Sequence, residues 1–129
     1  MKWKLGEDYN ILTREIEDLD DEVRHCWTKL TSPRSTFHSI RSQNVGDAVG
    51  DGVAKAIDME TELLQKIEKL KALRLQIEEV VETYPAVERR LLRMRYIRGF
   101  TWQQIANRMF CDESTCRRLH RQILKTLQN

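Results

Sequence analysis

Apolar residues recur along the start of the chain at a helical beat. Leu5, Tyr9, Leu12, Ile16, Leu19, Val23, Cys26 and Leu30 are separated by 4, 3, 4, 3, 4, 3 and 4 positions. That alternation keeps all eight on one face of an α-helix and is the repeat of coiled coils. The other faces carry Glu15, Glu17, Asp18, Asp20, Asp21 and Glu22 and read as solvated. Thr31-Ser32-Pro33 ends the helix, because proline disfavours helical geometry at the residue before it. From about residue 31 to 52 the periodicity vanishes. Pro33, several Ser and Thr, and Gly46, Gly50 and Gly52 predict a long loop, functional or a linker between helices. A broad apolar stripe then returns with Ile57, Leu63, Leu64, Ile67, Leu70, Leu73, Ile77, Val80, Val81 and Tyr84. It predicts a second helix from about Val53 to Tyr84. Two striped helices joined by a loop are expected to pack antiparallel. A helical pair alone has little core, so self-association is expected to extend it.

After Pro85 the pattern shortens. Pro85 suits the first turn of a helix, and residues 86–98 read as helical, with Val87, Leu91, Leu92, Met94 and Tyr96 apolar. Gly99 is a natural stop. Thr101 and Gln104 form a Thr-x-x-Gln capping box that opens a short helix from Trp102 to Met109. Asp112 is a good N-cap for a last helix reaching about Leu127. The fold class is therefore all-α. Residues 1–84 form a helical hairpin or coiled-coil region for oligomerisation, and residues 85–129 form a three-helix domain.

Residues 102–121 carry the register of a helix-turn-helix. With Trp102 as the first of twenty positions, the fourth, eighth, tenth, fifteenth and eighteenth should be apolar. They are Ile105, Met109, Cys111, Cys116 and Leu119. The fifth must be small where the helices approach, and it is Ala106. The turn has the usual length of about 3–4 residues. The ninth position usually holds glycine but is Phe110 here, so either Phe110 is strained or the turn differs.

Charge sharpens this picture. The net charge is +2, yet residues 1–84 hold −5 and residues 85–129 hold +7. A basic domain attracts polyanions. The second helix of such a unit enters the major groove, and its outward residues here are Glu113, Ser114, Thr115, Arg117, Arg118 and Arg121. Arginine can donate two bonds to guanine, and glutamate can accept from cytosine. Arg89, Arg90, Arg93, Arg95, Arg98, Arg108 and Lys125 are candidates to neutralise phosphates, contacts that position rather than specify.

Other chemistry finds less support. Cys111, Cys116 and His120 suggest a metal, but zinc usually wants four protein ligands in a structural site, and both cysteines sit at apolar register positions. No metal and no cofactor is expected. His25, His38 and His120 form no local triad with a nucleophile, and no Gly-rich phosphate loop is present, so an enzyme is not expected. Trp3, Trp27 and Trp102 read as core or interface anchors. No run approaches ~18 apolar residues, which excludes a membrane-spanning helix. Acidic residues from Glu7 onward argue against a leader peptide. Three cysteines without framework spacing suit a reduced, cytosolic protein.

At residues 91–99 (Leu-Leu-Arg-Met-Arg-Tyr-Ile-Arg-Gly), 101–106 (Thr-Trp-Gln-Gln-Ile-Ala) and 114–127, the chain resembles sigma factor region four. The other regions of a sigma factor have no counterpart in these residues. An N-terminal helical region ahead of such a module is similar to the RinA/ArpU-like late transcription regulators of Gram-positive phages and prophages. The resemblance covers residues 84–128 in detail and the rest in architecture only. It implies a sequence-specific activator of late genes in the cytoplasm of a bacterial host. Double-stranded DNA is the implied partner and host RNA polymerase a further one. The acidic face of the first helix is a candidate to touch that polymerase, or to compete with DNA for the basic domain. By alignment the recognition residues are Glu113, Ser114, Thr115, Arg117, Arg118 and Arg121. Two other readings stand beside this one. A phage small terminase subunit also joins a helix-turn-helix to oligomerising helices and recognises a packaging site. A structural interaction protein would use the basic domain to bind protein.

Overall fold

The computed structural model describes residues 2–31 and 45–127. The first helix, α1, spans Lys4–Thr31. Its predicted stripe faces inward: Tyr9 and Val23 are buried, and Leu5, Leu12, Ile16, Leu19, Cys26 and Leu30 are half-buried. Among the described residues every regular element is helical, as the all-α expectation requires.

The second helix, α2, spans Val45–Val81 and corrects the predicted loop. Residues 45–52 are helical despite Gly46, Gly50 and Gly52. The remainder of that loop, residues 32–44, lies outside the described residues. Each interior glycine costs a helix about 1 kcal/mol relative to alanine, which is why the stretch reads as a loop. At Gly52 the two helices lie close: a Cβ there would stand 2.7 Å from Leu30 Cδ2, so the end of that side chain would have to shift. The stripe of α2 is also narrower than its sequence suggests. Ile77 and Val81 are buried, but Ile57 and Leu64 stay 49% and 63% exposed.

The chain packs as two units, Arg14–Lys69 and Met1–Thr13 with Leu70–Asn129. The division differs from the expected boundary at residue 84, because both the start of α1 and the end of α2 belong with the basic domain. Within the Arg14–Lys69 unit the helices run antiparallel. Leu30 meets Gly52, the Trp27 indole N–H donates to Glu60 at 2.6 Å, and Lys66 pairs with Glu15 at 3.4 Å. Rising numbers on one helix meet falling numbers on the other. Trp27 is thus an interhelical anchor, as its type suggests.

The second unit is built around α3 (Ala86–Leu92), α4 (Trp102–Met109) and α5 (Glu113–Leu127). Its core joins Leu91, Leu92, Ile105, Cys116, Ile123 and Leu124 with Ile77 and Val81 from α2 and with Trp3 and Tyr9. The α3 segment does not continue as an α-helix to Arg98. Residues Arg93–Ile97 form a π-helical turn, closed by Arg98 N–H donating to the Arg93 carbonyl five residues back. Met94 and Tyr96, two positions apart, are both buried along it. Val87, expected on the apolar side, is 54% exposed. Gly99 has φ +68, the left-handed conformation that glycine adopts without steric cost. It turns the chain so that Phe100 N–H reaches the Met94 carbonyl.

The capping box at Thr101 is complete. The Thr101 hydroxyl accepts from Gln104 N–H, and Gln104 Oε1 accepts from Thr101 N–H. The helix-turn-helix register also holds: Ile105, Ala106 and Cys116 are buried, and Met109, Cys111 and Leu119 are half-buried. The ambiguity at the ninth position is resolved. Phe110 itself adopts the left-handed conformation, φ 55 and ψ 44, and the residue is 94% exposed. A non-glycine residue there costs roughly 1–2 kcal/mol, and the exposed ring recovers little by burial. Phe110→Gly is therefore expected to stabilise the domain by about 1 kcal/mol, read as a higher urea midpoint with an unchanged slope.

Candidate nucleic-acid interface

The surface expected to read DNA lies on α5. Glu113, Ser114, Thr115, Arg117, Arg118, Arg121 and Lys125 are all exposed, whereas Cys116, Ile123 and Leu124 are buried behind them. Ser114, Arg118, Arg121 and Lys125 follow one another at intervals of 4, 3 and 4, so they form one outward stripe. Arg117 stands 3.7 Å from Glu113, one turn earlier. That exposed pair contributes little stability and leaves the guanidinium available.

Side-chain contacts hold α5 against its neighbours. Tyr96 on the π-helical turn meets His120 Nε2 at 2.6 Å through its hydroxyl. Trp102 meets the His120 ring edge-on at 5.0 Å, and near the end of α5 Thr126 bonds the Tyr84 hydroxyl at 2.8 Å. Burial, with a smaller contribution from the Arg95 charge, holds the His120 imidazole down to about 4. Burial likewise pushes the Tyr96 phenol up to about 12. Both groups are neutral near pH 7. His120 is thus a structural wedge with no charge to offer a phosphate.

Trp3, expected as a core or interface anchor, and the start of α1 support the same assembly, though the partner they pack on is not marked in the sequence. Trp3 packs edge-on against Tyr96 with ring centres 5.1 Å apart. Gly6 lets the helix backbone lie on that ring: a Cβ would fall 2.3 Å from Tyr96 Cδ1. A glycine inside an otherwise helical pattern was the one local signal of such close approach.

Many of the basic side chains gather in two clefts. A cleft of about 910 Å³ gathers Arg95, Trp102, Ser114, Arg117, His120 and Arg121, with Lys2 just before α1 and Glu7 in its first turn. Arg95 lies over the Trp102 ring at 4.5 Å and donates to the Phe100 carbonyl. It is held where α5 presents its first turns. Of the expected recognition residues, Glu113, Ser114, Arg117 and Arg121 line this cleft, while Thr115 and Arg118 lie elsewhere on the exposed face of α5. A smaller cleft of about 290 Å³ collects Arg89, Arg90, Arg93, Arg98 and Arg108. Arg108 stacks on Phe100 at 4.5 Å, and its carbonyl accepts from Arg90. Arg108 therefore belongs with the second group rather than with the α5 surface.

One of the candidate phosphate contacts changes role. The Arg93 guanidinium bonds Glu78 at 2.9 Å and Glu82 at 2.7 Å. Two carboxylates already neutralise it, and it ties α2 to the π-helical turn instead. The expected core role of the cysteines fits Cys116, which is buried. Cys111 is half-buried, and the two sulfurs stand 3.0 Å apart. Among the described residues no group of three or more Cys, His, Asp or Glu side chains is arranged to hold a metal ion, and no helix is long and apolar enough to cross a membrane.

No curated protein and no solved structure matches the chain. Residues 7–129 match the model of a family described as Protein of unknown function (DUF722). That match takes in α1 from residue 7 onward, α2 and the whole basic domain, and the chain belongs to the DUF722 family.

Proposed function

We propose that this protein is a sequence-specific DNA-binding regulator of transcription, an activator of phage or prophage late genes. The observation that carries the reading is the exposed α5 stripe of Ser114, Arg118, Arg121 and Lys125, backed by a buried helix-turn-helix core. The α5 helix enters the major groove, where Glu113, Ser114, Thr115, Arg117, Arg118 and Arg121 meet base edges. Arg95 is held beside the first turns of α5 and meets phosphate. The reading includes a homo-oligomer formed through the N-terminal helices, which would space two α5 helices for repeated or palindromic half-sites. Ile57 and Leu64, exposed apolar residues on α2, support that part. Host RNA polymerase is the proposed second partner, and the cytoplasm of the host cell is where both are met.

Salt dependence tests the electrostatic half of this reading. About five phosphate contacts give a slope of roughly −4 to −5 in log K against log salt concentration. Fluorescence anisotropy with a labelled duplex measures it. A slope near zero, or no binding at low salt, would favour a basic domain that binds protein.

A further inference from the structure

From the contact of Cys111 and Cys116 we infer a redox modification site: the two thiols close a reversible intrachain disulfide across the helix-turn-helix turn. The sulfurs stand 3.0 Å apart, only about 1 Å beyond an S–S bond of roughly 2.05 Å. Cys111 closes the turn after Phe110, with its N–H bonded to the Ala106 carbonyl. Cys116 lies in the first turns of α5, its N–H bonded to the Asp112 carbonyl. Two backbone bonds thus hold the thiols face to face in the native state. At these register positions a pair of aliphatic side chains would fill the space equally well, and packing alone does not ask for sulfur at both.

The co-reactant is a low-molecular-weight disulfide, RSSR, of the glutathione type. Cys111 is half-buried and Cys116 is 1% exposed, so RSSR meets Cys111 first. The Cys111 thiolate attacks one sulfur of RSSR. A Cys111–SR bond forms, the RS–SR bond breaks, and RS⁻ leaves and takes up the proton that Cys111 released. The Cys116 thiolate then attacks Cys111 Sγ. The Cys111–Cys116 bond forms, the Cys111–SR bond breaks, and a second RS⁻ leaves and takes up the Cys116 proton. Two protein thiols are oxidised and RSSR is reduced to two RSH. Burial, the largest cause, pushes the Cys116 thiol up to about 11.

The full chain is equilibrated with mixtures of reduced and oxidised glutathione, quenched in acid, alkylated and analysed by mass spectrometry. The expected product is a monomer lighter by two hydrogens, with Cys26 the only alkylated cysteine and a linked peptide joining Cys111 to Cys116. The reduced chain should return when excess reduced glutathione is added. Cys116→Ser should stop at a glutathione adduct on Cys111, and Cys26→Ser should behave as the parent. The same oxidation in urea gives the links that form without the fold. Three alkylated cysteines in the folded chain at the most oxidising ratio would overturn the inference. So would links involving Cys26, or a Cys111–Cys116 link no more abundant in the folded chain than in urea. The readout needs no DNA, so it stands or falls apart from the DNA-binding reading.

Discussion

Arg118→Ala combined with Arg121→Ala is expected to weaken binding to the preferred duplex by about 30-fold or more, at about 1–3 kcal/mol for each base-reading arginine. Both side chains are exposed on the outward stripe of α5, and neither forms an ion pair recorded among the described residues. The loss should therefore come without a change in helical content or urea midpoint. The single variants separate the kinds of contact. If Arg118 reads a base, Arg118→Ala narrows the gap between the preferred and a scrambled duplex. An equal loss on both assigns it to phosphate and lowers the salt slope by about one unit. Because the residues are neighbours on one face, the double variant need not equal the sum of the singles. Anisotropy titrations at one fixed salt concentration provide all of these values. Unchanged affinity in the double variant would remove α5 as the reading element.

Stability is expected to fall as pH drops from about 6.5 towards 4, by about 2 kcal/mol from His120 alone. The sign follows from the direction of the shift. Burial lowers the His120 imidazole to about 4 in the fold, while the unfolded chain takes up the same proton near pH 6.5. Between those values the unfolded state binds more protons, so acid favours it. Above pH 6.5 the contribution is complete. Part of the ring is open to solvent, which is why the magnitude is set below the full linkage value. His120→Gln removes the titrating group, so subtracting its urea-derived stability from the parent's at each pH isolates the effect. Parallel curves from pH 6.5 to 4 would mean that His120 protonates freely in the fold.

The parts of the fold that were legible are those written in local pattern. The 4-3 spacing placed α1, Thr101 and Gln104 marked the start of α4, and Gly99 marked its turn. Ile105, Ala106 and Cys116 were identified as buried because helix-turn-helix packing demands apolar or small residues at fixed positions. Contacts between distant residues were not legible. Gly52 reads as a loop residue until Leu30 lies against it, and Gly6 and Trp3 have no local reason to belong with Tyr96. The same holds at the interface. The exposed face of α5 follows from helical period alone, but Arg93 looked like any other arginine until Glu78 and Glu82 were brought beside it. The π-helical turn leaves no trace in the apolar spacing, because Leu91, Leu92, Met94 and Tyr96 read equally well as an α-helix. Phe110 is the opposite case: the sequence posed two outcomes, and the strained backbone is the one realised.

The central claim is sequence-specific DNA binding, and the most direct test is footprinting of the purified protein across fragments of the genome that encodes it, at near-physiological salt. A discrete protected site is expected just upstream of a promoter for late genes, lost in the Arg118→Ala and Arg121→Ala double variant. Protection confined to a packaging site would contradict the regulator reading in favour of a small terminase subunit. No protection anywhere would contradict DNA recognition itself.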